Sequence, residues 1–537
     1  MTIESARWAR SLVHRTLAAA LCCLMLPGVA HAQTPEQQVV NDAATALGGR
    51  DKILAVKTLL LEGGGSTVAG TSLRWDELAY ASAINQLRDV RRAYDLANGR
   101  ARFEATSMAE YAFYIGNAPV RQIQGLDGVV AFNVGANGTP ARIFGNQAVG
   151  RRVEYLRHPL TLVRAALGPG AKLAKARTEG AERLVDITID DLPTLTLAIS
   201  ASTKLPTRIL QMTAGAMGDT LVALALSDYR PVNGLQLPRV MTSWTDKWAS
   251  GDILVHRTTV DGSVGDLAAP TTVATATPPA GGTAPQTFPS PTQEISKGVW
   301  FVTGTTHHSI IVEFSDHLMV IEANNPERVA AVWAKAKELR PNKPITTLLV
   351  THHHGDHTAG VRDAVALGVT EIIAHESNLA YLNDMLKRPH TLNPDMLARK
   401  PNAKPVKMTM VGDTGVVKDG TMTVNLYHLL DNSHSDSNLL IYFPQGGILT
   451  QADVYMPLDA RHIIEGEPLG HAPWNRNVLA NILYRKLQVA YHAPLHGDYV
   501  PHSKFLMDTM TMTQYQPGEE PKAAPGGRAA GGAGEGR

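Results

Sequence analysis

The sequence predicts an α+β chain in two parts, a mainly antiparallel β-rich part followed by a part in which strands and helices alternate. Three observations predict it. The chain has 537 residues, too many for one ordinary hydrophobic core. Short runs rich in Val, Ile, Leu and Thr, separated by turn residues, fill the chain up to residue 266. After a Pro/Ala/Thr/Gly stretch at 267–291, apolar runs of strand length alternate with segments of helical period. Apolar residues make up 44% and charged residues 18%, as in globular chains, and the formal net charge is only +1. That balance argues against a nucleic-acid partner. The expected partner, a small-molecule substrate, rests instead on the histidine-rich motif at 352–357.

Residues 1–32 follow a separate logic. Arg7, Arg10 and Arg15 precede an apolar run at 17–27, and small residues then end at Ala30-His31-Ala32. This reads as a signal peptide cleaved after Ala32. The run is short of the roughly 20 apolar residues a spanning helix needs, so no stable membrane span is expected in the mature protein, and the expected location is periplasmic or secreted. Both cysteines, Cys22 and Cys23, fall inside this segment. The mature chain then has neither disulfides nor thiolate ligands.

In the β-rich part, 33–266, an amphipathic helix at 36–47, closed by Gly48-Gly49, precedes strand-like runs at 58–62, 128–133, 183–189, 194–199 and 220–226. This stretch resembles the curved lipoprotein-carrier-like sheet. The segment 267–291 lacks an apolar period and reads as an extended linker, and 516–537 lacks large apolar residues and reads as a disordered tail.

The remaining part, 292–515, begins with apolar runs at 309–312 and 318–321. Asn325 caps an expected helix whose first turn holds Pro326 and whose apolar stripe is Val329, Val332, Trp333 and Ala336. The run 345–350 is of strand length and continuously apolar or β-branched, as in a strand buried on both faces. It delivers the chain to Thr351-His352-His353-His354-Gly355-Asp356-His357, with a helix expected over 357–367 and closed by Gly368. Imidazoles crowded in this way repel one another when protonated and gain from a shared cation, so the segment points to metal binding.

With His352-x-His354-x-Asp356-His357 the chain resembles the metallo-β-lactamase superfamily. The resemblance implies an αββα sandwich for 292–515. It also implies one further histidine, one acidic residue and one more histidine, in that order, each at the end of a later strand. His434 follows the run 423–430, Asp453 follows 447–450, and His496 follows 493–495. Carried over by residue, His352, His354 and His434 would hold one zinc, Asp356, His357 and His496 a second, and Asp453 would bridge them; other divalent metals suit the same donors. For Asp453 a surface-turn carboxylate is the competing reading, because Ala452 stands where the family usually has Gly. For His496 the competitors are His492 and His502.

Five further residues are candidates for substrate contact or for support of the ligands. His353, between two inward-facing ligands, would turn to protein or solvent. His307 and His308 lie on the loop before a strand, which the resemblance places near the site. Glu322 stands where many family members have Asp and would hydrogen-bond the motif loop. Tyr455 could supply a hydroxyl to an oxyanion or merely pack at a strand end.

The function these residues imply is an exported dinuclear zinc hydrolase. A hydroxide formed between the metals attacks an ester, lactone, thioester or amide carbonyl, with Asp356 as the catalytic group that orients it. Three alternatives stand beside it: class B3-like β-lactamase activity, a mononuclear iron sulfur dioxygenase, and a non-catalytic binding protein with a structural metal. The Leu382–Lys407 stretch carries no motif and is the expected place for a lid over substrate.

Overall fold

The structure is a computed structural model that describes residues 33–68, 84–109, 119–215, 217–278, 290–322, 324–400, 404–457 and 472–510. The expected leader, the segment 279–289 of the expected linker and the expected tail lie outside the described residues.

Among the described residues, thirteen strands form one antiparallel sheet. They are β1 (Thr58–Val68), β2 (Ile84–Asp95), β3 (Arg100–Ala109), β4 (Val120–Asp127), β5 (Val130–Val134), β6 (Pro140–Ile143) and β7 (Ala171–Glu179). The rest are β8 (Glu182–Ile189), β9 (Leu195–Ser200), β10 (Pro206–Gly215), β11 (Gly218–Val232), β12 (Leu235–Thr245) and β13 (Trp248–Val260). Successive strands are neighbours from β1 to β6 and from β7 to β13, and β1 joins the two runs by pairing with β13. Strand period places Leu59 and Leu61 on one face and Leu60 on the other.

Four helices cover the first face among the described residues: Pro35–Ala46, Arg50–Ala55, Gly145–Leu156 and Pro159–Ala166. The first starts on a capping box between Thr34 and Gln37 and buries Val39, Val40 and Ala43. Against them pack Leu59, Leu61, Tyr94, Leu197 and Leu237. On the opposite face Leu60 and Ala93 receive Val264 and Leu267.

The start of the Pro/Ala/Thr stretch is therefore docked rather than extended. Its helix Thr271–Ala274 buries Val273, Arg142 donates to the carbonyls of Ala274 and Ala276, and the Asp127 carboxylate accepts the Ala269 N–H. Two apolar side chains, Leu267 and Val273, suffice to hold it, a spacing too sparse to show as a period.

The C-terminal part is a four-layer sandwich, as the resemblance implies. One sheet comprises β14 (Thr292–Ser296), β15 (Val299–Val302), β16 (Ser309–Glu313), β17 (Leu318–Ile321), β18 (Ile345–Leu349), β19 (Glu371–His375) and β20 (Lys407–Val411), antiparallel up to β17 and parallel from there. The other comprises β21 (Thr414–Lys418), β22 (Thr423–His428), β23 (Leu439–Phe443), β24 (Ile448–Thr450), β25 (Tyr491–His492) and β26 (Val500–Pro501).

Ile310, Val312, Ile321 and Leu349 meet Val424, Leu426, Ile441 and Phe443 between the sheets. Helices Pro326–Leu339, Val361–Ala366 and Leu379–Lys387 cover one outer face through Val329, Val332, Val361 and Leu382. Helices Ala472–Tyr484 and His502–Met510 cover the other through Val478, Ile482 and Phe505. No helix among the described residues is long and apolar enough to cross a membrane.

The helix expected over 357–367 is two pieces, Gly355–Thr358 and Val361–Ala366. The first begins inside the histidine motif, and the Thr358 hydroxyl bonds back to the carbonyls of His353 and His354. The helix then restarts after Gly360.

The two parts are joined by more than chain. The turn between β10 and β11 puts Met217 into the outer core of the sandwich, in the buried cluster that also holds Trp300 and Met385. Asp219 accepts the N–H groups of Thr391 and Leu392, and Asp246 pairs with Arg388. Gly218 is required there, since its φ is +104° and a Cβ would collide with the Pro389 carbonyl and the His390 ring. Leu382–Lys387 is the end of a helix, and the stretch after it is pinned from both sides, to this turn and by Arg362 to Asp395.

Two expectations follow. Met217→Ala lowers the unfolding free energy by about 2 to 3 kcal/mol in urea titrations, the cost of a buried methionine truncated at a joint. The second concerns His158, fully buried, whose Nδ1 accepts the Leu160 N–H at 3.3 Å. Burial, helped by Arg92, pushes its imidazole down to about 3. The unfolded chain takes up that proton near pH 6.5 and the native chain does not, so stability falls as pH drops from about 6.5 towards 3. One His158 proton contributes up to about 1.4 kcal/mol per pH unit. In a pH series of denaturation midpoints, His158→Asn flattens that slope.

Candidate metal centre

The edge at which β17 and β18 end also receives the loops after β22, β24 and β25. Each loop brings one or more of the residues named by the motif. Two groups of ligand atoms form, in each of which all atoms lie within 4.8 Å of one another. One is His352, His354, His434 and Asp453; the other is His307, Asp356, His357 and His496. In the first, the Nε2 atoms of His352 and His434 are 3.3 Å apart, and in the second those of His357 and His496 are 3.3 Å apart.

Asp453 lies between the groups. Its Oδ2 is 3.0 Å from His434 Nε2 and 3.5 Å from His352 Nε2, its Oδ1 is 2.8 Å from His496 Nε2, and His357 Nε2 is 3.1 Å from both oxygens. A surface turn carboxylate would not be placed so, and Asp453 is only 7% exposed.

Its backbone is in the left-handed region, φ +68°, which is uncommon for a non-glycine residue. Gln451 holds that turn. Its side chain accepts from Val454 N and Tyr455 N and donates to the Tyr455 carbonyl, while Asn438 donates to the Ala452 carbonyl.

At His357, His496 and His352 the ring nitrogen facing away from the centre has a partner that orients the one facing it. His357 Nδ1–H donates to Glu322 Oε2 at 2.6 Å, and Glu322 also accepts from the Thr351 hydroxyl. Glu322 is 1% exposed and has φ +80°, so it supports the motif loop from a second strained position. His496 Nδ1–H donates to the Thr306 carbonyl at 2.7 Å, and His352 Nδ1 meets the Thr351 hydroxyl at 3.1 Å. His434 packs edge-on to the Trp474 ring, and Asn432 accepts the His434 N–H.

Protonation states follow from burial and neighbours. Burial and adjacent imidazoles hold His352 and His354 well below the usual histidine range, leaving them neutral with lone pairs to donate. At His357 burial opposes charge, but Asp453 and Glu322 outweigh it and raise the group. Carboxylates that favour a proton there favour a cation in its place. Burial alone would raise Asp356 and Asp453. The hydrogen bond from His307 and the charge of His357 outweigh it at Asp356, and His357 and His496 outweigh it at Asp453, so both stay ionised.

Nitrogen and carboxylate donors in these two groups suit divalent metal ions. His354 Nε2, Asp356 Oδ1 and Asp453 Oδ1 are buried with no hydrogen-bond partner, as metal-ligand atoms would be.

The other candidates separate. His353 is fully buried and turned into protein, its Nδ1 at 3.2 Å from the Ser437 hydroxyl. His308 accepts the Gly304 N–H, packs on Phe301 and is pushed down to about 4 by burial, so it builds the loop and is outside both groups.

Tyr455 corrects an expectation. Its hydroxyl donates to Asp508 at 2.8 Å and its ring packs on His492 and Phe505, so the packing role holds and the hydroxyl is already committed. His492 and His502 hydrogen-bond each other at 2.9 Å and belong to neither group. Thr306, Gln451, Asn432, Asn438 and Trp474 were not legible as site residues, since each acts through a partner distant in sequence.

Residues 302–502 match the family model described as metallo-beta-lactamase superfamily. No curated protein matches the chain. Among solved structures, the chain is similar to rubredoxin oxygen:oxidoreductase of Desulfovibrio gigas at 13% identity and TM-score 0.31, covering 41% of this chain and 60% of that one. It is similar to a metallo-beta-lactamase of Pontibacter korlensis at 19% identity and TM-score 0.30, covering 42% and 100%. It is similar also to the FIM-1 metallo-beta-lactamase of Pseudomonas aeruginosa, in its mono-zinc form, at 18% identity and TM-score 0.31, covering 41% and 94%.

Glu322→Gln removes the anion behind His357 while keeping its shape. The variant is expected to bind divalent metal about 10- to 100-fold more weakly in chelator competition, with an unchanged circular dichroism spectrum. Equal affinity would reduce Glu322 to a prop for the loop. With its metal-ligand groups on this sandwich, the segment 302–502 is a metallo-β-lactamase superfamily domain, the fold of a family of metal-dependent hydrolases.

Proposed function

We propose that this chain is an exported hydrolase that holds two zinc ions and opens an ester, lactone, thioester or amide bond in a small molecule. The observation that carries the reading is the position of Asp453, with one oxygen toward each group of ligand atoms. A carboxylate placed so serves two cations at once; a single-metal site would leave one oxygen among imidazoles with no shared ion.

When bound, the ions supply Lewis acidity and a water ionised near neutral pH. The protein's own contribution is orientation and protonation control. His352, His354 and His434 form one wall and His357 and His496 the other. Asp356, kept ionised and the more open of the acids at 36% side-chain exposure, would orient the attacking water by accepting its hydrogen bond. Beneath them His353, Glu322 and Gln451 hold the loops in place, which keeps the reacting geometry fixed.

Export is supported by Arg7, Arg10 and Arg15 ahead of the apolar run at 17–27 and by the small residues ending at Ala32. A ligand set of nitrogen and carboxylate donors only is consistent with a chain whose two cysteines both lie in that leader.

The test uses the purified mature protein and a panel of esters, lactones, thioesters and β-lactams. Stripping divalent ions is expected to abolish hydrolysis and zinc to restore it, and His354→Ala is expected to lower the rate by at least about two orders of magnitude while the protein stays folded. Elemental analysis decides the competing chemistry. One iron per chain together with sulfur-dependent oxygen uptake would sink the hydrolase reading.

A further inference from the structure

His307 lies outside the motif, yet its ring is among the ligand atoms of the second group, with Asp356, His357 and His496. Its Nε2 is 3.3 Å from Asp356 Oδ2, its ring meets that of His496 at 4.1 Å between centroids, and it meets that of His357 at 5.2 Å. The opposite nitrogen, Nδ1, is 2.8 Å from the Thr306 hydroxyl. That arrangement matches the ligand histidines around it, each with an outward nitrogen engaged and an inward nitrogen at the centre.

The loop that carries His307 is built to hold it there. Buried Arg328 donates to the carbonyls of Val302 and Thr303. The His308 ring accepts the Gly304 N–H, and the His308 N–H donates to the Leu495 carbonyl, beside His496. A Cβ at Gly304 would collide with the His307 carbonyl oxygen, so the loop closes this tightly only because residue 304 is glycine. Thr306 takes part twice, its carbonyl orienting His496 and its hydroxyl meeting His307. A histidine that merely lined a substrate cleft would not need to be fixed from four sides.

We propose that His307 is a further protein ligand of the second cation. This rests on the two-cation reading above. That cation is then held by His307, His357, His496 and Asp356, together with one oxygen of Asp453, while the first has His352, His354, His434 and the other Asp453 oxygen. The count matters because zinc sites that catalyse usually have three protein ligands and an open position. With five protein donors the second cation suits an ion that tolerates five or six ligands, and the first, with four, is the less crowded of the two.

The test loads the whole mature protein with cobalt(II), which reports its histidine ligands as paramagnetically shifted imidazole N–H resonances. Expected for His307→Ala is the loss of one shifted resonance and a fall of at least about 10-fold in affinity for one of two cobalt equivalents, with the other unchanged. Two equivalents bound with every shifted resonance retained would overturn the inference while leaving the two-cation reading intact. Weaker binding without loss of a resonance would overturn it as well, because a mere hydrogen-bond partner of Asp356 gives that result. A wild-type protein that takes up a single cobalt would overturn the two-cation reading, and the inference with it. Thermal unfolding of both proteins without metal checks that the variant keeps its fold.

Discussion

Two carboxylates, Asp453 and Glu322, are buried among imidazoles, and the architecture around the centre follows from having to keep them there. An ionised carboxylate taken out of water requires a countercharge or several hydrogen bonds. Glu322 satisfies its charge with His357 and Thr351. Asp453 faces four ring nitrogens and little else, an arrangement that becomes favourable when those nitrogens share cations with it. Both residues also hold their backbones at positive φ, so the local chain stores strain that the packed sheets on either side must over-determine.

The sandwich supplies that over-determination. Strands β16, β17 and β23 are buried on both faces, and the described residues that leave the sheet edges are cross-tied. Gln451 and Asn438 fix the Asp453 turn, Asn432 fixes His434, and Arg328 fixes the loop before β16. Catalytic geometry of this kind needs supporting side chains as much as ligands, because a ligand free to rotate would lose the advantage of position.

Much of the C-terminal part could be read in advance from local chemistry. The run 345–350 is apolar enough to demand burial, and the spacing within Thr351–His357 is a chemical pattern in itself. His434, Asp453 and His496 followed from the order of ligands that the resemblance to the superfamily implies. What escaped reading depends on contacts between distant segments. His307 shares a dipeptide with His308, and nothing local distinguishes them. Their fates diverge because Gly304 tightens the loop and Leu495 anchors it, turning one ring inward and the other against Phe301. Tyr455 was legible as a hydroxyl near Asp453, but its partner Asp508 is 53 residues further on.

In the β-rich part strand existence was legible and length was not. β11 runs from Gly218 to Val232, about twice the apolar run that marks it, because a polar and largely solvent-facing stretch at 227–232 extends one end and the docked Gly218 and Asp219 extend the other. The 267–291 stretch shows the converse, since a composition typical of linkers contains the two side chains that dock it.

The Met217 hairpin carries a broader consequence. A residue from the first half completes the interior of the second, and Asp219 and Asp246 tie down the backbone that follows the helix Leu379–Lys387. During synthesis the hairpin emerges from the ribosome well before Trp300 and Met385, so one apolar side chain waits in water until its niche is made. Shuffling this sandwich onto an unrelated leader domain would therefore leave behind a hole of methionine size, and lineages that kept the sandwich would have been pressed to keep its companion.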